Sequence, residues 1–418
     1  MSSPSAVVLA LLRQGRTEAA ARQVASALEE LFAMRVAAVE FTQDEYSLNS
    51  VSGRVHTGGD GGTLFFKFHQ EDGEQDHVAE YYRARLLSDA GLPVEVPVAT
   101  SSRPGAQVAI YRLRTEPRMA DLCAGAERDL GAAASLAPDL LRARHDLDDA
   151  TAQLMLATLR SPVEESAGTA LHQLFHHRLV DRDGAFPGGR YRSFYAASPA
   201  YAAVAHLRWR VDGVEYVDSL NDLAERAAVV LRPSRLAALP VVTAHGDDHH
   251  GNIWAMGNPP GSEGLRLFDP AFASDDIPAL LAPVKATFHN ALAHPFWLYH
   301  PAEADQLGVT ARVADGVVDV VTGQQTSPMR QQILDSVAER VWAPLLAEMA
   351  RRGWLPADWE QVVRSALFCC PMLVTNLVAP ARPEAARWLG LASAVVAGSR
   401  PASAGSNRVS ELLERVAP

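Results

Sequence analysis

The sequence predicts an α+β chain of two lobes, a small β-rich one followed by a larger, mostly helical one. Three observations predict it. Short β-branched and aromatic stretches crowd the first 115 residues, apolar residues at helical spacing dominate afterwards, and the polar run Arg114-Thr115-Glu116-Pro117 separates the two regimes. The lobes are therefore drawn at residues 1–115 and 116–418.

Taken in order, residues 4–34 are rich in Ala, Leu and Glu and predict an extra N-terminal helix. Val36 to Glu40, Ser50 to His56 and Thr63 to His69 predict strands, with the GGDGG run at Gly58 to Gly62 as the hairpin turn between the last two. A helix is expected from Asp76 to Ala90, stopped by Gly91 with Pro93 just beyond. Glu95 to Thr100 and Gln107 to Leu113 predict two more strands. The rest is expected to be helical except Val241 to Phe272, where short apolar strands flank a polar loop. Gly184 to Tyr195 is expected as a loop beside a cleft, and Gly398 to Gly405 as a loose connection to a short terminal helix.

Composition narrows the class. A hydrophobic share of 48% with 21% charged residues is ordinary for a globular chain. A net charge of −11 argues against a phosphate-backbone footprint, so no nucleic-acid partner is expected. Three cysteines, with Cys369 and Cys370 adjacent, supply neither a disulfide framework nor a Cys-based zinc site, which suits a reducing cytoplasm. The apolar run Ala6 to Leu12 has no basic residue before it and reads as a helix face rather than a signal sequence. No run reaches membrane-spanning length, so no membrane partner is expected. A monomer or homodimer is expected.

Only two of the 38 basic residues are lysines, Lys67 and Lys285. Lys67 lies in Leu64-Phe65-Phe66-Lys67-Phe68, a run apolar on both faces, where its ammonium must reach water or an anion. Glu80, thirteen residues on in the expected helix, is the leading partner, with Glu71, Glu74 and Asp76 nearby. A strand lysine paired with a helix glutamate is how protein-kinase-like folds hold ATP phosphates.

The loop AHGDDHHGN (Ala244 to Asn252) carries the densest chemistry. Asp247 and Asn252 are five residues apart, and Asp269 follows seventeen residues later at the end of Leu265-Arg266-Leu267-Phe268. An Asp to receive a hydroxyl proton, followed by oxygen ligands for a hard cation, fits phosphoryl transfer with Mg²⁺. Two other readings stay open at this point: a transition-metal site of His245, Asp247, His249 and His250, and a metal-dependent phosphoesterase.

HGDDHHGN followed by Phe268-Asp269-Pro270 resembles the aminoglycoside phosphotransferase and choline kinase-like family, whose loop reads HGDxHxxN. Glu80 ahead of Gly91-Leu92-Pro93 agrees with the family's helix glutamate, and the likeness spans about residues 45–115 and 240–280. The resemblance implies a bilobal protein-kinase-like fold, ATP or GTP as donor, and a small-molecule hydroxyl as acceptor. It implies Asp247 as catalytic aspartate, Asn252 and Asp269 as Mg²⁺ ligands, and Lys67 on nucleotide phosphates with Glu80 positioning it. It also places the phosphate-covering turn at Asn49 to Gly53, with Ser50 and Ser52, and the adenine hinge at Tyr111 to Thr115, with Tyr111 and Leu113. Proline at 270 and the glycine-poor turn depart from the usual pattern.

His245 is expected to brace the loop, whereas His249 and His250 have no assigned role, and His172, His176 and His177 are expected on a helix surface. Lys285, His289 and Asp275 are candidates for contacts with the acceptor, Lys285 being equally readable as a surface lysine on a helix. The implied function is phosphorylation of an antibiotic such as an aminoglycoside or nucleoside antibiotic. Its alternatives are a sugar or amino-alcohol kinase and a nucleotide-binding pseudokinase regulator.

Overall fold

A computed structural model describes residues 4–42, 50–58, 62–69, 83–101, 103, 106–402 and 405–418. The chain divides into two compact units: Met1–Glu116 with Arg266–Ala271, and Pro117–Leu265 with Phe272–Pro418.

In the first unit, two helices stand where one was expected, α1 (Pro4–Arg13) and α2 (Thr17–Phe32). Gly15, at a left-handed φ of 70°, separates them. A five-stranded antiparallel sheet follows: β1 (Val36–Phe41), β2 (Ser50–Thr57), β3 (Thr63–His69), β4 (Ala99–Ser101) and β5 (Val108–Arg112), in the order β1-β2-β3-β5-β4. Val51, Val55, Phe66, Phe68, Val108 and Ile110 form one core with Val8, Val24 and Leu28 of the two helices. Because side chains alternate along a strand, Lys67 projects from the opposite face, registered between Ser52 and Ala109. Gly53 is required by packing: a Cβ there would lie 2.1 Å from the Glu40 carbonyl oxygen and 2.8 Å from the Phe66 ring.

A helix, α3, covers Ala84–Asp89, and the earlier part of the expected helix lies outside the described residues. The strand expected at Glu95 to Thr100 is a correction. Only Ala99–Ser101 joins the sheet, because the backbone ahead of it is engaged elsewhere. Val94 bridges Leu267 in parallel, Glu95 N donates to Leu267 O at 2.6 Å, and Leu267 N donates to Pro93 O at 2.8 Å. Pro97, lacking an N–H, breaks the ladder between the two pairings.

The second unit is mainly helical, with long helices at Met119–Leu130, Pro138–Thr158, Trp359–Val374 and Glu384–Gly398. Contrary to expectation it also holds a four-stranded sheet of Arg208–Val211, Val214–Tyr216, Thr310–Ala314 and Val317–Val321. Two hairpins build it, turning at Asp212-Gly213 (φ 49° and 82°) and Asp315-Gly316 (φ 53° and 74°). Asp-Gly between β-branched runs is the standard two-residue hairpin signal, so this sheet was legible in the sequence. The stretch at Gly184 to Tyr195 is also corrected. Its second half is helical, and Tyr191 and Tyr195 are buried, with Tyr191 Oη 2.7 Å from Tyr201 Oη and Tyr195 Oη donating to Met372 O at 2.8 Å. Val241–Ala244, buried throughout, pairs antiparallel with Ser274–Pro278 and delivers the chain into the polar loop. Among the described residues no helix is long and apolar enough to cross a membrane.

Candidate functional site

The loop after Val241–Ala244 is locked by its own polar atoms. Gly246 takes φ 81°, and a Cβ there would lie 2.9 Å from the Phe272 carbonyl oxygen, so only glycine turns the chain at this point. His245 Nδ1 accepts from Asp247 N at 3.3 Å, the brace the sequence led us to expect. His249 Nδ1 accepts from Gly251 N at 3.1 Å, and Asn252 N donates to His249 O at 2.7 Å. Asn252 Nδ2 donates to Asp247 O at 3.0 Å, so its Oδ1 takes no part in that bond. From outside the loop, Asn290 clamps two residues: its Oδ1 accepts from His250 N at 2.6 Å and its Nδ2 donates to Asp248 O at 3.2 Å.

Two of the three histidines therefore spend Nδ1 on backbone N–H groups, while the His250 ring lies 3.6 Å from Cys123 Sγ. Burial, Arg144 and His249 hold His250 well below the usual imidazole range. Among the described residues, no group of three or more His, Cys, Asp or Glu side chains is arranged to hold a metal ion.

Asp247 meets a lysine. Lys285, only 5% exposed, places Nζ 3.3 Å from Asp247 Oδ1, and His249 Nε2 stands 4.0 Å from Asp247 Oδ2. One helical turn on, His289 Nε2 lies 3.2 Å from Lys285 Nζ. Burial, Lys285 and His249 push His289 well below 6.5, so the neutral ring accepts from the ammonium. For Asp247, burial pushes the carboxyl up, but Lys285, His249, His245 and Arg178 outweigh it and hold it below its ordinary range. A buried carboxylate beside a buried ammonium stays ionised. Its neighbour Asp248 moves the other way, raised by burial.

The first unit holds a second lysine–aspartate pair. Lys67 on β3 makes a close ion pair with Asp269 Oδ2. Asp269 has a left-handed φ of 56°, uncommon outside glycine, and its Oδ1 is buried without a hydrogen-bond partner among the described residues. Arg266 and Arg114 both reach Glu95 Oε2, at 3.6 Å and 2.6 Å, fixing the segment that carries Asp269. Glu80, the partner expected for Lys67, lies outside the described residues, as does Asn49. The turn expected at Asn49 to Gly53 is corrected for its described residues: Ser50 to Gly53 run in β2, paired with His69 to Phe66 of β3, and Ser52 is buried with its hydroxyl 3.3 Å from that of Thr42. Tyr111 is buried in β5 opposite Phe65, Leu113 is half-buried just past the strand, and Asp275 is exposed on Ser274–Pro278.

The expectation for the earlier histidines is corrected in part. His172 and His176 are buried in tight 3₁₀ turns, His172 Nε2 donating to Ser166 O at 2.8 Å, and only His177 is exposed. Sequence reasoning also missed that Lys285 meets Asp247 and that Asn290 holds the loop. The scarcity of lysine was the signal for the first. A lone amide in an apolar helix was the only signal for the second.

No model of a protein family matches the sequence, and no curated protein matches it. Solved structures to which the chain is similar include aminoglycoside and macrolide phosphotransferases and aminopropanol and ethanolamine kinases. A spectinomycin phosphotransferase, in complex with ADP and spectinomycin, is 13% identical over 90% of this chain and 98% of its own, with a TM-score of 0.41. A microcompartment-associated aminopropanol kinase is 14% identical over 86% and 91%, with a TM-score of 0.39. An ethanolamine kinase of Plasmodium vivax is 8% identical over 88% and 83%, with a TM-score of 0.36.

Proposed function

We propose that this protein is a small-molecule kinase that transfers the terminal phosphoryl group of ATP or GTP to a hydroxyl. One observation carries the reading. The only two lysines of an arginine-rich chain each meet one of the two aspartates singled out by the loop motif, Lys285 at Asp247 and Lys67 at Asp269.

In this reading the acceptor oxygen bonds to the terminal phosphorus as the bond from phosphorus to the departing nucleoside diphosphate breaks. The hydroxyl proton passes to Asp247. Held below its ordinary range, Asp247 is a weak base, so it chiefly orients the hydroxyl and takes the proton as the new bond forms. Lys67 leaves Asp269 for nucleotide phosphate oxygens, its charge stabilising the transferring group. Asn252 and Asp269 are proposed as Mg²⁺ ligands, and their donor set of hard oxygens, with Asp269 Oδ1 buried and unpaired among the described residues, suits that ion. Bound Mg²⁺ would offset charge on the phosphate oxygens. Ser50, Ser52, Tyr111 and Leu113 keep their proposed places along the nucleotide, and Glu80 its place behind Lys67. The acceptor classes carried from the sequence are an antibiotic, such as an aminoglycoside or nucleoside antibiotic, and a sugar or amino alcohol.

A thermal-shift titration tests the nucleotide half. Mg·ATP should stabilise the protein, and Lys67→Met, compared with its own melting temperature without nucleotide, should lose most of that shift. Stabilisation by Mn²⁺ or Zn²⁺ alone, with none by Mg·ATP, would instead favour a metal-dependent phosphoesterase.

A further inference from the structure

Among the described residues, three acids near the loop, Asp247, Asp148 and Glu127, each have a cationic partner. Asp247 has Lys285 at 3.3 Å and His249 at 4.0 Å. Asp148 is bound by buried Arg144 and by Ser336 Oγ at 2.6 Å. Glu127 accepts from Arg330 Nε at 3.0 Å and from Ser327 Oγ at 2.6 Å. Asp248 is 9% exposed, and burial drives its carboxyl towards the neutral form. Arg178, also buried, adds positive field at Asp247.

An ammonium-bearing acceptor is favoured by an uncompensated carboxylate near its reacting hydroxyl. Here it would instead bring a cation up to a fixed one, because Lys285 is held in place by Asp247 and His289 together. Resting on the phosphotransferase reading, we propose that Lys285 confines the acceptor to hydroxyl compounds without an ammonium group, such as sugars, polyols and nucleosides. Aminoglycosides and amino alcohols are excluded by the same charge. Lys285 thus sets specificity through its fixed charge beside Asp247.

The test uses matched acceptors that differ by one amino-for-hydroxyl replacement, such as glucose with glucosamine and glycerol with 3-amino-1,2-propanediol. ADP release is followed for the full chain, Lys285→Arg and Lys285→Met, each checked for a normal melting transition. In wild type and Lys285→Arg, the neutral member of each pair should have the higher kcat/KM by about ten-fold or more, and in Lys285→Met the ratio should collapse. An amino acceptor used as well as its neutral partner by the wild type overturns the inference but leaves the kinase reading standing. A ratio unmoved in Lys285→Met overturns it equally. Failure of Mg·ATP to stabilise the wild type overturns the kinase reading, and this inference with it.

Discussion

Asp247 and Lys285 form a charge pair in which each partner would be costly to bury alone. Because the folded carboxyl titrates below 3.8, its stabilising effect is complete above that value and is lost as pH falls through the lower folded value. The acid limb of kcat/KM should therefore lie below the ordinary carboxylate range. Lys285→Met, which removes the largest compensating charge, should move that limb to higher pH, and a pH–rate profile of both proteins reads the shift. Asn290 acts on the backbone of the same loop. Asn290→Ala leaves a buried N–H and a buried carbonyl without their partners and should cost about 1–3 kcal/mol in denaturant unfolding. Turnover should fall with it, while nucleotide KM changes little. Lysine scarcity made both lysines conspicuous in the sequence. The partner of Lys285 was not legible, because 38 positions separate it from Asp247 and only packing joins them.

Among the elements, the turns that aim side chains differ in what constrains them. Gly246 combines a left-handed φ of 81° with a blocked Cβ position, whereas Gly316 has φ 74° and open space around it. Gly316→Ala should cost roughly 1–2 kcal/mol from backbone strain alone. Gly246→Ala should cost more than Gly316→Ala and should also displace Asp247, lowering turnover. Denaturant midpoints give the order, and equal costs would contradict the close contact with Phe272. The β-rich first unit was readable because short β-branched and aromatic stretches, the Lys67 run among them, mark its strands. Its fourth strand was misread because Pro93 and Pro97 bracket a segment whose hydrogen bonds go to Leu267, a partner distant in sequence. The hairpins at Asp212-Gly213 and Asp315-Gly316 were readable but short, and helical surroundings masked them.

At the scale of the whole molecule, the sequence divides into a β-rich and a helical unit, and the segment Arg266–Ala271 joins the first although it lies deep in the second half of the chain. That excursion carries Asp269 to Lys67 and could not be seen from composition, which is apolar there as in any short strand. A ligand that binds only the folded state stabilises by mass action, about 2.7 kcal/mol at a hundred times its Kd. Saturating Mg·ATP should therefore raise Tm, and Asp269→Ala should lose that response. The most direct measurement is the transfer of terminal label from ATP to a hydroxyl acceptor, with Asp247→Asn beside the wild type. The expected result is transfer by the wild type and a loss of roughly 10²–10⁴-fold in Asp247→Asn, with the Mg·ATP shift in Tm retained. Unaltered transfer in Asp247→Asn would contradict the assignment of Asp247 to the chemistry.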